Sequence, residues 1–374
     1  MSKGTGRAEH SRLFRALLDS GLREAAERLG RDHRYRGKLM AQTMRALAQN
    51  MRLALENGRL TLDPPTVFAA RGEKGAGRLM VVYAPQEVVL ITAMHRLLAV
   101  HLDQKLLPQC IGFRCGFTRH CVRDALARAR AERLHWVVVT DVAGYYASIR
   151  HAMLEEALGA PPFRLPRDVR ALVMDVVRAG SGPGQELLPG HAPANHAANA
   201  YLHGTDEFLA AKGHVFCRFI DDSAVFVGTR RQAERALEDL RGYLLEARGL
   251  ALSEPKTGIY HRYQQGFKFL GLRVIGDSAQ PTPENAARFA EEIERYLRCG
   301  RRKALDEKVR AAPRAHLKER GGEPFVNARF RVPSRFPENL AYTNGELAAL
   351  GLASLSRIKA DYDRKTLAPQ TGGL

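Results

Sequence analysis

No stretch of this 374-residue chain approaches the roughly 18 to 20 uninterrupted apolar residues that a bilayer-spanning helix needs. Its most apolar region, Leu79 to Val100, is broken by Pro85, Gln86, Glu87, His95 and Arg96. The opening residues, Met1-Ser2-Lys3-Gly4-Thr5-Gly6, lack the apolar core of a secretory signal. The expectation is a cytoplasmic protein with no membrane partner. Cysteine is scarce as well: Cys110, Cys115, Cys121, Cys217 and Cys299 form an odd set of five in a long chain. Such a set argues against a disulfide framework and for a reducing compartment. Cys110, Cys115, His120 and Cys121 lie near one another, but their spacing fits no standard zinc finger, so no structural zinc is expected.

Acid is in deficit too. Fifty-eight Lys and Arg face 40 Asp and Glu, giving a formal charge of +18 and a pI near 10.0. An excess of that size points to a polyanionic partner, because neutralising phosphates releases their counterions. Nucleic acid fits best. The hydrophobic fraction, 45%, supports an ordinary core, and the length allows two or three subdomains.

Among the few acids, one adjacent pair organises the rest. Phe216 to Val227 reads Phe-Cys-Arg-Phe-Ile-Asp-Asp-Ser-Ala-Val-Phe-Val, two strand-forming runs around Asp221-Asp222, and predicts a β-hairpin carrying two carboxylates at its turn. Two like charges about 4 Å apart repel by roughly 4 kcal/mol at an effective dielectric near 20, so the pair requires open water or a cation. Alone it would read as a solvated turn. It is not alone. Upstream, Trp136-Val137-Val138-Val139-Thr140 is a β-branched run ending in Asp141, so a buried strand delivers a third carboxylate. Three such oxygens suit Mg²⁺, and a two-ion version of this site supports in-line phosphoryl transfer.

In order along the chain, these residues resemble the reverse transcriptases of bacterial retroelements, especially those of group II introns and diversity-generating retroelements. Asp141 to Ile149 is similar to the Asp-x-x-x-[Phe/Tyr]-[Phe/Tyr]-x-Ser-Ile motif of that family, and Phe219-Ile220-Asp221-Asp222 to its Tyr-x-Asp-Asp motif. Glu254-Pro255-Lys256-Thr257 and Phe269-Leu270-Gly271 match the two that follow. The resemblance runs from about Pro64 to Val274. It implies a right-hand polymerase of mixed α/β (α+β) class, with an antiparallel-sheet palm, fingers and a helical thumb. The boundaries expected are an N-terminal helical extension over 1–63, fingers over 64–135, palm over 136–275, and a basic helical thumb and tail over 276–374.

The activity implied is RNA-directed DNA synthesis, adding dNTPs to the 3′-hydroxyl of a DNA or RNA primer on an RNA template. Asp141, Asp221 and Asp222, with the backbone carbonyl of Val142, are implied ligands of two Mg²⁺ ions, with Mn²⁺ as a substitute. Tyr146 takes the place of the family's steric gate against a ribose 2′-hydroxyl; Tyr145 reads instead as a core aromatic. Lys74 and Arg78, in and beside the Gly-rich basic loop Arg71 to Arg78, are implied to hold the triphosphate. Lys256 stands where a lysine assists the departing pyrophosphate, and Gly190 falls on the glycine of a nucleotide-positioning loop. Around it the pattern departs from the family: Ala194 replaces a serine, and Pro189 stands where many relatives have glutamine. An accessory protein, a structured RNA and a role in antiviral defence are compatible with the resemblance. Rival readings are an inactive RNA-binding scaffold or splicing helper, and untemplated or protein-primed synthesis.

Elsewhere helical periodicity dominates. Leu13, Phe14, Leu17, Leu18, Leu22, Ala25 and Leu29 share one face, as do Met40, Met44, Leu47, Met51 and Leu55. Ala233, Ala236, Leu237, Leu240, Leu244 and Leu245 mark a helix over Arg231 to Arg248. Arg114 and Arg119 are candidates for a template path, and the basic run from Arg298 to Arg335 for a duplex-gripping surface.

Overall fold

Two faces of one sheet explain the placement of most of the core. The computed structural model describes residues 10–31, 38–70, 78–114, 120–181, 187 and 192–282. The chain starts with a helix α1 (Arg12–Ala16) that passes through a π turn (Leu17–Gly21) into α2 (Leu22–Arg31), followed by α3 (Lys38–Glu56). A hairpin of β1 (Thr66–Ala70) and β2 (Arg78–Val82) precedes α4 (Pro85–Asp103) and α5 (His120–Ala131). Next come β3 (Trp136–Thr140), α6 (Tyr145–Ser148), α7 (His151–Gly159), α8 (Arg167–Ala179), α9 (Ala192–Tyr201) and α10 (His203–Ala211). The hairpin of β4 (Val215–Phe219) and β5 (Asp222–Val227) leads into α11 (Arg230–Arg248), a 3₁₀ turn (Glu254–Lys256) and β6 (Gly258–His261). Three short strands, β7 (Phe267–Phe269), β8 (Leu272–Ile275) and β9 (Ser278–Pro281), form a separate antiparallel sheet.

The central sheet has the order β4-β5-β3-β6 and every pairing in it is antiparallel. Successive side chains on a strand point to opposite faces. Val138, Phe216 and Val225 therefore enter the larger core, with α4, α7 to α9 and α11. Val137, Val139, Cys217, Ala224 and Phe226 enter a smaller core with α5 and the strands β7 and β8. Because both faces are covered, the strands read as continuous apolar runs rather than as alternation.

The N-terminal stripes fall where the periodicity puts them. Phe14, Leu17, Leu18, Leu22, Ala25 and Leu29 are buried with Met44, Met51 and Leu55 in the same core as Leu90, Ala93 and Met94 of α4. Helix α11 begins with a capping box between Thr229 and Gln232 and ends at Gly249 in the left-handed conformation. One expectation on it fails: Leu245 is exposed. At 100° per residue the neighbour of buried Leu244 is carried off the apolar stripe. Among the described residues no helix is long and apolar enough to cross a membrane.

If the N-terminal helices are integral to the fold, Leu22→Ala leaves a cavity that costs about 2–5 kcal/mol of global stability in denaturant unfolding. A loss below about 0.5 kcal/mol would show the helices to be dispensable.

Candidate active site

Strand register sets Asp141 beside Asp222, and the turn before β5 adds Asp221. β3 pairs with β5 so that Thr140 faces Ser223, with their hydroxyl oxygens 2.6 Å apart, and one step further along each strand lie Asp141 and Asp222. β4 pairs with β5 so that Phe219 faces Asp222, leaving Ile220 and Asp221 as a two-residue turn. Ile220 holds φ at 59°, a region that β-branched residues rarely enter and that stores about 1–3 kcal/mol of strain. The turn is clamped from below. Arg218 donates from Nη1 to the Ile220 carbonyl at 2.7 Å, and from Nε and Nη2 to the two carboxylate oxygens of Asp206 at 2.6 and 2.5 Å. Both residues are buried. Asn199 joins them, accepting from Arg218 Nη1 at 3.3 Å and donating to the Gly112 carbonyl at 2.6 Å. Gly112 lies so close to the turn that a Cβ there would stand 2.7 Å from the Ile220 nitrogen.

Sequence reading missed Arg218 and Asp206. The signal was present, since an arginine inside the buried run Val215–Phe219 must find a partner. Arg114, read as a template-path candidate, is instead buried, donating to the carbonyls of Leu107 and Cys110 at 2.7 Å and of Asp103 at 2.5 Å. Its length and five donors suit it to tying off loop carbonyls.

Electrostatically the site has too much negative charge for its exposure. Asp221 is pushed up to about 6, first by burial and then by the charge of Asp141. Asp222 is pushed up to about 7 by burial, by the charges of Asp221 and Asp141, and by a side-chain hydrogen bond with Asp141. Lys256, in the 3₁₀ turn, supplies the counter-charge: its Nζ donates to both Asp141 oxygens at 2.9 Å, which raises the lysine pKa. Ser253 N donates to the Asp141 carbonyl at 2.7 Å and Ala143 N to that of Ala251 at 2.9 Å, so neither bond takes the Val142 carbonyl.

Tyr145 is a core residue, donating its hydroxyl to the Ala198 carbonyl at 2.6 Å. Tyr146 is only partly buried and donates to Asn195 Oδ1 at 2.7 Å. Its phenol pKa is raised by burial and by the charge of Asp221. Ala194, where the family pattern has serine, is fully buried. Arg78 opens β2 opposite Ala70, at the neck of the first hairpin. Lys74, Pro189, Gly190, Arg119 and the basic run from Arg298 lie outside the described residues.

The donors fit a divalent cation in kind. All are oxygens, as hard ions require, and the raised pKa values of Asp221 and Asp222 mark crowded negative charge that a cation would relieve. Among the described residues no three acid, imidazole or thiolate groups stand as a ready-made cage, and Asp141 is engaged by Lys256.

Residues 87–274, half of the chain, match the family model for reverse transcriptase (RNA-dependent DNA polymerase). The chain belongs to that family. Its reverse transcriptase fold is that of a right-hand polymerase with an antiparallel-sheet palm, and the family's chemistry is nucleotidyl transfer. No curated protein matches the chain in sequence. Among solved structures, telomerase from Candida albicans in complex with a fragment of telomeric RNA is 10% identical at a TM-score of 0.45, over 70% of this chain and 55% of that one. Apo telomerase from Candida tropicalis is 10% identical at 0.46, over 88% and 72%. The same telomerase with a telomeric RNA fragment is 11% identical at 0.47, over 88% and 66%. This reverse transcriptase chain thus spans little more than half the length of the first of them.

Two outcomes follow from the charge balance. Asp221 and Asp222 bind protons more tightly folded than unfolded, so their contribution to stability is full below the ordinary value of 3.8 and is lost as pH rises through about 6 to 7. Asp222→Asn should therefore raise the metal-free unfolding temperature at pH 8 and change it little at pH 4. Added Mg²⁺ should stabilise wild type at pH 8, and Asp222→Asn should blunt that response. An equal Mg²⁺ response in both proteins would contradict this account. Separately, Arg218→Met alone should cost about 3–5 kcal/mol, and Arg218→Met with Asp206→Leu should recover most of it in denaturant unfolding.

Proposed function

We propose that the chain is an RNA-directed DNA polymerase of a bacterial retroelement or defence system, extending a DNA or RNA primer on an RNA template with dNTPs. The observation that carries this reading is the grouping of Asp141, one step past β3, with Asp221 and Asp222 at the β4–β5 turn, under-neutralised and close enough for the Asp221 charge to act on Tyr146. The three acids and the Val142 carbonyl would hold two divalent ions, Mg²⁺ in the first instance and Mn²⁺ as a substitute. Such ions, when bound, acidify a primer 3′-hydroxyl and neutralise the triphosphate and the leaving pyrophosphate.

The chain's own groups supply the rest. Tyr146, fixed by Asn195, offers a ring edge against which a ribose 2′-hydroxyl would collide. Lys256 holds Asp141 in the free protein, and its exposed flexible stem lets the ammonium swing to the pyrophosphate oxygens and donate a proton there. Arg78, which opens β2, and Lys74 would hold the triphosphate, and Gly190 would help to position the nucleotide. In this reading residues 1–63 form a helical extension, 64–135 the fingers, 136–275 the palm and 276–374 a thumb that grips the duplex backbone. An accessory protein or structured RNA would complete the assembly, which is cytoplasmic.

Primer extension on a defined RNA template, with the product sequenced, tests the reading. Wild type should copy the template, and Asp222→Asn should lose extension by about 100-fold or more while still binding the RNA. Product made equally well without template would instead indicate untemplated or protein-primed synthesis. Extension unaffected by Asp222→Asn would remove this site from the chemistry altogether.

A further inference from the structure

The end of the central sheet remote from the carboxylates carries a second cluster of chemistry-bearing side chains. β3 begins at Trp136 and reaches Asp141 five residues later, which at about 3.4 Å per residue separates the two ends by some 17 Å. At the starting end Trp136 pairs with His261 of β6, and four rings meet. Trp136 and His261 lie edge to face with centroids 5.1 Å apart, His135 and Tyr263 likewise at 5.7 Å, and His261 is 6.1 Å from His135. His135 and Tyr263 are exposed, and Trp136 and His261 are half-buried.

The cluster is built rather than incidental. Arg262, fully buried, binds the segments beneath it: its backbone N–H donates to the His135 carbonyl at 2.9 Å and its Nη1 to that of Leu134 at 2.7 Å. Its Nη2 donates to the Gly276 carbonyl at 3.1 Å and to Asp277 at 2.9 Å. The same guanidinium lies 5.4 Å from the centre of the Tyr263 ring. Gly276, with φ at 57°, is where a Cβ would come within 2.9 Å of Tyr263 Cδ1, so a side chain there would push the ring off its seat. Rings held this way give up little entropy on stacking against a ligand.

The rim is cationic. Arg133, two residues before His135, is exposed and meets no acid among the described residues. Arg230 stands 5.9 Å from the Trp136 ring and 3.0 Å from Glu234, and Arg130 is 3.5 Å from Asp277. Each nearby acid is already matched by an arginine: Asp277 by Arg130 and Arg262, Glu234 by Arg230, and Glu132 by Arg128 at 3.9 Å. A patch with surplus positive charge, on a chain carrying +18, complements a polyanion better than another protein surface.

We propose that this aromatic platform is a second nucleic-acid site, taking unpaired bases of a single strand on its rings and the adjoining phosphates on Arg133 and Arg230. Stacking on a π face tolerates any base, so sequence preference is weak, and a duplex, whose bases are already stacked, is a poor ligand. The proposal uses none of the three carboxylates and stands whether or not the chain polymerises.

Trp136 is the one tryptophan in the sequence, so its emission reports on the platform in the full chain. Short single-stranded oligothymidylate or oligouridylate, titrated without divalent metal, should quench that emission in step with the anisotropy of a labelled strand. Blunt duplex should not. Tyr263→Ala should weaken the quenching isotherm by about fivefold or more and Tyr263→Phe should not, with both variants unfolding at the wild-type temperature. Emission that stays constant while the strand binds would overturn the proposal, as would identical isotherms for Tyr263→Ala and wild type. Loss of a self-associated species in Tyr263→Ala, seen by light scattering without a change in strand affinity, would also overturn it and make the patch a contact between copies.

Discussion

Asp141, Asp221 and Asp222, grouped at the ends of β3 and β5 where water only partly reaches them, set the terms for the rest of this fold. Their repulsion has to be met by something at least as rigid, or the strand ends would splay until solvent filled the gap. The antiparallel register of β3 and β5 supplies the first restraint, because Asp141 and Asp222 cannot separate without breaking the ladder that ends at Thr140 and Ser223. The second is chemical: burial and the charges of Asp221 and Asp141 push the Asp222 pKa up, which favours a proton there, while Lys256 neutralises Asp141. Both compensations are of a kind that a cation can displace, so the free protein stores the preference that a bound ion would satisfy.

Beneath the acids a different economy operates. Arg218 and Asp206 are both buried, and a buried ion pair seldom adds net stability over an apolar pair of the same volume. What it adds here is direction. The guanidinium is planar, so fixing Nε and Nη2 on Asp206 leaves Nη1 aimed at the Ile220 carbonyl, and the strained turn is held at the angle that lifts Asp221. Asn199 and Gly112 extend the same tie to the segment after α4, which makes the turn part of a rigid block rather than a loop tip.

How much of this was legible in the sequence depends on the reach of each interaction. The hairpin around Asp221-Asp222, the strand ending at Asp141 and the N-terminal helical stripes were legible because they follow from local period and composition. That Asp141 and the tandem pair lie together was argued from the strand ending in an acid beside an acidic hairpin and strengthened by resemblance, since nothing local in Trp136 to Asp141 states that β5 is its neighbour. Lys256 carried a role by resemblance, yet its hold on Asp141 spans 115 residues and no spacing rule reports it. Arg114 was misread because an arginine in a loop usually faces water; here the backbone carbonyl at the end of α4 and two in the segment after it needed a donor with its length. Leu245 failed for the opposite reason, an apolar residue left on a polar face.

The departure at Ala194 shows how a substitution that looks damaging in one dimension can be absorbed in three. A serine there would bring a hydroxyl into a fully buried position of α9, where it would need a partner. Alanine removes that requirement, and the adjoining Asn195, turned by about 100° around the helix, accepts the Tyr146 hydroxyl. The same helix continues to Ala198, whose carbonyl holds Tyr145, and to Asn199, which holds Arg218. One helix thereby fixes both aromatic rings and the brace of the acidic turn.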